Sequence, residues 1–231
     1  VDGALAAIRH LVVDTGLLTM KEIIQAMASN FEGQEPLRRM LLSAPKFGND
    51  DDLPDLIAAD IAKAFIERVK AKEVPYGMKI WPGIYSIFFA DQSVLVGATA
   101  DGRKCADPLA VHFSPMPGRA VSGPTATLSS AAKTHLAEGI AASPVFLTIS
   151  RSLVPEDAEG AQIVTRLVDA ALELGLPILS LAINDTEVLK KAVLDPENYG
   201  DIVVRVWGFN ARFIDLTPQM QEHVILRTLL Q

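Results

Sequence analysis

The sequence predicts an α/β fold, and three observations carry that expectation. Helical apolar spacing dominates the first 70 residues and returns in the last third. Short apolar runs, "VFLTIS" at 145–150 and "PILSLAI" at 177–183, have the length and composition of strands. The middle of the chain, 75–155, is instead rich in Gly, Pro, Ser and Thr, as long ordered loops are.

Taken in order, "ALAAIRHLVVD" (4–14) has the spacing of a helix. Thr19 and Glu22 form a capping box ahead of "IIQAMASNF". "EPLRRMLLSAP" is a short helix ended by Pro45. Residues 48–72 form a turn that feeds a long amphipathic helix, whose acidic start suits the positive end of the helix dipole. "IYSIFFA" (84–90) and "VFLTIS" are candidate strands, and "PTATLSSAAKTHLAEG" (124–139) enters a short helix. "DAEGAQIVTRLVDAALELG" is a helix stopped by Gly175, "PILSLAI" a buried strand, and "DTEVLKKAVLDPENYG" a helix and turn. Two apolar segments, 201–209 and 211–216, flank a tip at Gly208. The final helix starts with Thr217 as N-cap and Pro218 in its first turn. The chain has no repeat and no low-complexity linker, and its organisation divides into 1–74, 75–180 and 181–231.

Composition excludes several classes. Of 231 residues, 49% are hydrophobic, enough for a real core, yet no apolar run approaches a membrane span. A net charge of -7 and the absence of a basic stripe argue against a nucleic-acid surface. The single cysteine, Cys105, excludes an internal disulfide framework and fits a reducing compartment. No secretory signal, P-loop or dinucleotide fingerprint is present. The chain begins with Val1 rather than Met, as a trimmed chain or the C-terminal piece of a longer one would.

One stretch, "RVWGFNARFIDL" at 205–216, resists a purely structural reading. A glycine inside a strand-like run costs order and packing, and the bland explanation is a bulge or tight turn. The surrounding residues point elsewhere. "VRVWGFNARFIDLTPQMQEHVILRT" resembles the glycyl radical motif at the C-terminus of glycyl radical enzymes, the pyruvate formate-lyase and diol-dehydratase-like superfamily. Arg205, Val206, Gly208, Phe209, Phe213, Ile225, Arg227 and Thr228 match its pattern. Upstream, "FGNDDD", "GATADGRK", "ADPLA", "SPMPGR", "GPTATLSSAAK" and "DPENYGDIVVRV" are similar to blocks of the same superfamily, in the same order.

The resemblance implies part of a ten-stranded α/β barrel with surrounding helices and a C-terminal radical loop. It implies a glycyl radical at Gly208, supported by Arg205, Trp207, Phe209 and Phe213, the three aromatics excluding water and oxygen. Glycine suits that chemistry. A Cα radical delocalises into its flanking amides only when near-planar, and a Cβ would crowd the planar form. The resemblance further implies no permanently bound cofactor and no metal. A radical S-adenosylmethionine activase with an iron–sulfur cluster would install the radical. A thiyl cysteine on a separate Cys-loop would act on a small organic substrate, in lyase chemistry related to formate acetyltransferase. That loop belongs to another chain or a missing N-terminal region, so a partner and an oligomer are expected, in the cytoplasm or a microcompartment and in anaerobic life. Unpaired edges of a partial barrel would need covering and point to a partner as well. Two other roles stay open: a spare part replacing an oxygen-cleaved radical domain, and a non-catalytic assembly subunit.

The remaining candidates have plainer readings beside them. Cys105 could serve as a thiyl site, but a lone cysteine is more often buried packing. "NDDD" at 49–52 could bind a hard cation or start a helix. His10, His112, His135 and His223 are scattered without ligand spacing. Asp101, Gly102 and Arg103 form a turn in which Arg103 clamps a carboxylate or holds the loop, and Arg119 is similar. Where many relatives have a polar Q-x-N, this chain has Ser180 and Ala182. With the apolar "SPVFLTIS", that hints at a substrate less polar than glycerol or choline, such as an arylacetate, or a hydrocarbon added to fumarate, beside diols.

Overall fold

A computed structural model describes residues 1–85, 90–134, 136, 143–206 and 208–228. The expected helices form. They are α1 (Asp2–Ile8), continued by a wider π-type stretch over Arg9–Asp14, α2 (Met20–Ala28), α3 (Glu35–Ser43) and α4 (Asp52–Lys70). The Thr19–Glu22 capping box is complete, with both reciprocal bonds made. Ala7, Leu11, Ile23 and Leu41 bury the apolar faces of the first helices in one helical core, joined by Phe31 from the loop after α2, whereas Ile66 of α4 packs in a second core.

Helix α5 (Pro124–Ala132) leads towards a strand–helix–strand unit made of β1 (Pro144–Ser150), α6 (Ala158–Glu173) and β2 (Ile178–Asn184). The two strands pair in parallel, with Phe146 opposite Ser180 and Thr148 opposite Ala182. Alternation along β1 assigns its faces. Val145, Leu147 and Ile149 pack with Leu128 of α5 and Leu167 of α6 in the second core. Phe146 and Thr148 point to the opposite face. Unlike the buried strand expected at 177–183, β2 is only partly buried, with Ile178 42% exposed. Only β1 pairs with it among the described residues.

Helix α7 (Thr186–Leu194) follows. Next comes a short antiparallel hairpin of β3 (Val203–Arg205) and β4 (Asn210–Arg212), then α8 (Pro218–Arg227). Thr217 caps α8 by accepting a hydrogen bond from the Met220 amide, with Pro218 at its first turn. Leu189, Val204, Val206, Phe213 and Val224 form the third core, which ties hairpin and helices together.

The described residues form two two-stranded sheets, so of the barrel expected in part they show one parallel pair of strands. One expectation needs correction. The strand expected over 84–90 does not form at either described end. Ile84 and Tyr85 are irregular, and Ala90–Leu95 is a 3₁₀ helix. Residues 86–89 lie outside the described residues. No helix among the described residues is long and apolar enough to cross a membrane.

Candidate functional site

The hairpin presents Gly208 in a tight turn. The Val206 amide donates to the Phe209 carbonyl at 2.9 Å, closing the turn over residues 206–209. Its base is firmly seated: Val204, Val206 and Phe213 are all buried. Its tip is not. Gly208 is exposed and Phe209 is 50% exposed, so this chain does not itself bury the tip behind Phe209. Trp207 lies outside the described residues. Phe213 belongs to the buried base rather than to the tip.

Packing among the described residues does not explain the glycine: a Cβ built on Gly208 meets no described atom within 4 Å. Steric need for glycine is evident elsewhere. At Gly102 φ is +89°, and a Cβ would come within 2.8 Å of the Leu42 side chain.

Gly208 opens onto a cavity of about 240 Å3 on the outward face of β1 and β2. Phe146 and Ser180 form its floor, His112, Tyr85 and Arg205 its sides. Of the two positions that depart from Q-x-N, Ser180 reaches this cavity, whereas Ala182 is buried further along the strand. The Arg205 guanidinium also bonds across the hairpin to Asn210 Oδ1 at 3.4 Å. His112 adopts φ +52°, uncommon for a residue with a side chain, and stacks on Phe146 with centroids 6.4 Å apart. Burial, then the nearby Arg227 charge, lowers its pKa and favours the neutral imidazole.

Arg227 reaches this region from the end of α8. It is 8% exposed, and its guanidinium lies 4.6 Å from the Phe146 ring centroid. Nη1 donates to the Val206 carbonyl at 2.6 Å, and Nη2 donates to the Arg205 carbonyl. Burial pulls its pKa down to about 10, which leaves it charged at neutral pH. His223, one turn earlier and 1% exposed, is held neutral, its pKa down to about 4 through burial and then the Arg227 charge. His223 is thus a buried residue of α8. His10 is half-buried in the π-type stretch, and His135 lies outside the described residues.

Sequence reasoning singled out the hairpin but did not place Phe146, His112 or Arg227 around it. Period-2 alternation in "PVFLTIS" sets Phe146 on the face opposite Val145 and Leu147, and that signal was available. The stacking of His112 on it, across 34 positions of chain, was not.

Several of the other candidates hold the fold together. No group of three or more His, Cys, Asp and Glu side chains placed to hold a metal ion occurs among the described residues. Asp51 caps α4 by accepting from the Leu53 amide. Lys133 Nζ lies 2.8, 2.7 and 3.1 Å from Asp50, Asp52 and Asp55, supplying the cation from within the fold. Burial opposes charge on Lys133, but the three aspartates together hold its pKa above the ordinary lysine range. Asn49 joins two sequence blocks: its Nδ2 donates to the Arg119 carbonyl, and its Oδ1 accepts from the Val121 and Ser122 amides. Arg103, 1% exposed, holds its loop by donating to the carbonyls of Ser93, Val96, Gly97 and Asp107. Arg119 lines a separate cavity of about 530 Å3 with Lys46 and Asp101. Cys105 is exposed, not buried, on the loop after Arg103 and is not among the residues lining the Gly208 cavity.

Comparison with known proteins matches both halves of the chain. The family described as Pyruvate formate lyase-like matches residues 1–90, and that described as Glycine radical matches residues 109–214. An isethionate sulfite-lyase of Nitratidesulfovibrio vulgaris is 34% identical over 97% of this chain and 27% of its own length. A hydroxyproline dehydratase of Clostridioides difficile, solved with trans-4-hydroxy-L-proline bound, superposes with a TM-score of 0.90 at 29% identity, over 98% of this chain and 29% of that one. The B12-independent glycerol dehydratase of Clostridium butyricum superposes with a TM-score of 0.87 at 31% identity, again over 98% and 29%. The chain thus spans just over a quarter of the length of the relatives it matches.

Proposed function

Because the chain belongs to the glycyl radical enzyme superfamily, we propose that it is the radical-bearing C-terminal part of such an enzyme and stores its radical at Gly208. One observation carries the assignment to that residue. No close neighbour among the described residues calls for glycine at 208, whereas planar delocalisation of a Cα radical does. A radical S-adenosylmethionine activase removes one hydrogen atom from the Gly208 Cα. A cysteine thiol on the Cys-loop part then gives its hydrogen atom to that carbon and becomes the thiyl that attacks substrate. Residues 181–231 act as the radical domain, with Arg205 and the aromatics 207, 209 and 213 as its support.

The cavity beside Gly208 is the wall this chain contributes to the substrate site. Relatives named as sulfite-lyase and dehydratase favour elimination of a C–X bond over C–C bond formation. Ser180 in place of a longer amide leaves room above Phe146 for a less polar substrate. The match over residues 1–90, beyond what a radical loop alone needs, favours an enzyme part over a spare part or an assembly subunit. The working setting is anaerobic and cytoplasmic, in an oligomer with the Cys-loop part.

Anaerobic electron paramagnetic resonance tests this reading. The protein with its Cys-loop part, activase, S-adenosylmethionine and a reductant should give a doublet near the free-electron g-value. Cα-deuterated glycine should collapse it to a singlet. Absence of any signal, with an activase proven on another substrate, would remove the assignment.

A further inference from the structure

Arg227 is costly to bury. Its guanidinium lies in the interior, and no carboxylate pairs with it among the described residues. Removing such an ion from water carries a penalty of several kcal/mol, and a well-packed apolar side chain would often stabilise the same spot better. Among the described residues its two hydrogen bonds both go to one place, the consecutive carbonyls of Arg205 and Val206. Those carbonyls end β3 and enter the turn that carries Gly208. The same guanidinium lies over the ring of Phe146, a β1 residue that lines the Gly208 cavity.

We propose that Arg227 is the positioning residue of the radical loop, fixing Gly208 at a set height over β1 through Phe146 and the two carbonyls. The proposal deepens the glycyl radical reading and rests on it for its functional consequence. The planar fork of arginine suits the task because it reaches two carbonyls while one face stays on a ring, which a lysine ammonium cannot do. The bond from the Val206 amide to the Phe209 carbonyl lies directly beyond the clamp, so that amide reports on the turn.

Arg227→Met and Arg227→Lys, made in the complete enzyme, separate positioning from folding. In the non-activated enzyme, amide exchange at Val206 should rise roughly tenfold in Arg227→Met while α6 amides keep their protection. After activation, turnover per spin should fall to roughly a hundredth in that variant, since misplacing a reacting centre by about 1 Å costs that order. Arg227→Lys should recover part of both, as it keeps the charge and one of the two bonds. Unchanged exchange at Val206 with unchanged turnover per spin would overturn the proposal. So would faster exchange spread equally over α6, which would mark Arg227 as a general stabiliser. A wild-type enzyme without a radical would defeat the glycyl radical reading alone, and the exchange experiment would still decide whether Arg227 clamps the turn.

Discussion

Two glycines in this chain do opposite things. Gly160, in the first turn of α6, has no room for anything larger: a Cβ there would lie 1.8 Å from the Pro155 carbonyl oxygen. At Gly208 a Cβ would meet no described atom within 4 Å. The first is glycine because the fold forbids a side chain. The second is glycine although no described atom would meet a side chain there, which is what the proposed radical chemistry would require. Absence of a structural reason is therefore informative at Gly208, and it is visible only once coordinates are set beside the sequence.

The sharpest way to break the contrast is Gly208→Ala. Turnover and radical signal should vanish completely, with a thermal midpoint unchanged within error, since the methyl meets no described atom. Activity surviving in that variant would make Gly208 an ordinary turn residue. Gly160→Ala should show the converse. Pushing α6 away from Pro155 should cost about 3–4 kcal/mol, read as a lowered midpoint in denaturant. Whatever enzyme stays folded should still form the radical. A neutral Gly160→Ala would mean that the α6 start adjusts freely, and the steric half of the contrast would fail.

Much of this was legible in the sequence, for identifiable reasons. Helices with a cap and a periodic face, such as 19–28 and 217–227, follow from local rules, and those rules hold here. The hairpin was legible because a resemblance covered it residue by residue. The "NDDD" cluster was ambiguous because its partner, Lys133, lies about 80 positions away, and no local spacing reveals a cation supplied by another helix. Cys105 was misjudged as packing: burial tendency describes cysteines in general, whereas this one sits on a loop held by Arg103. Phe146 and Arg227 each lie in recognisable elements, but their stacking joins a strand to the last helix and is a property of the assembled fold.

A third test asks whether the seat of the hairpin, rather than its tip, sets the acid limit. His223 has a folded pKa of about 4 against an ordinary 6.5. Between those values the unfolded chain binds a proton that the folded chain refuses. Stability from this group is complete above pH 6.5 and is lost as pH falls towards 4, by roughly 3 kcal/mol in total. His223→Leu should flatten the stability profile over that window. The same slope in wild type and variant would place the acid sensitivity in other groups and leave the α8 seat intact.

The smallest expected effect bears on where the radical goes. If Cys105 received it, the relay would lie inside this chain and the contrast between Gly160 and Gly208 would extend to a second reactive residue. Cys105 is exposed, and its thiol makes only a long contact of 3.9 Å to the Val94 carbonyl. Cys105→Ser should therefore shift stability by less than about 0.5 kcal/mol and leave spin count and turnover as in wild type. Loss of turnover with full spin would identify Cys105 as the hydrogen-atom donor to Gly208. Unchanged turnover would mean that the thiol facing Gly208 is supplied by the Cys-loop part, so that the open side of the turn, where a Cβ would meet no described atom, is the side that part covers.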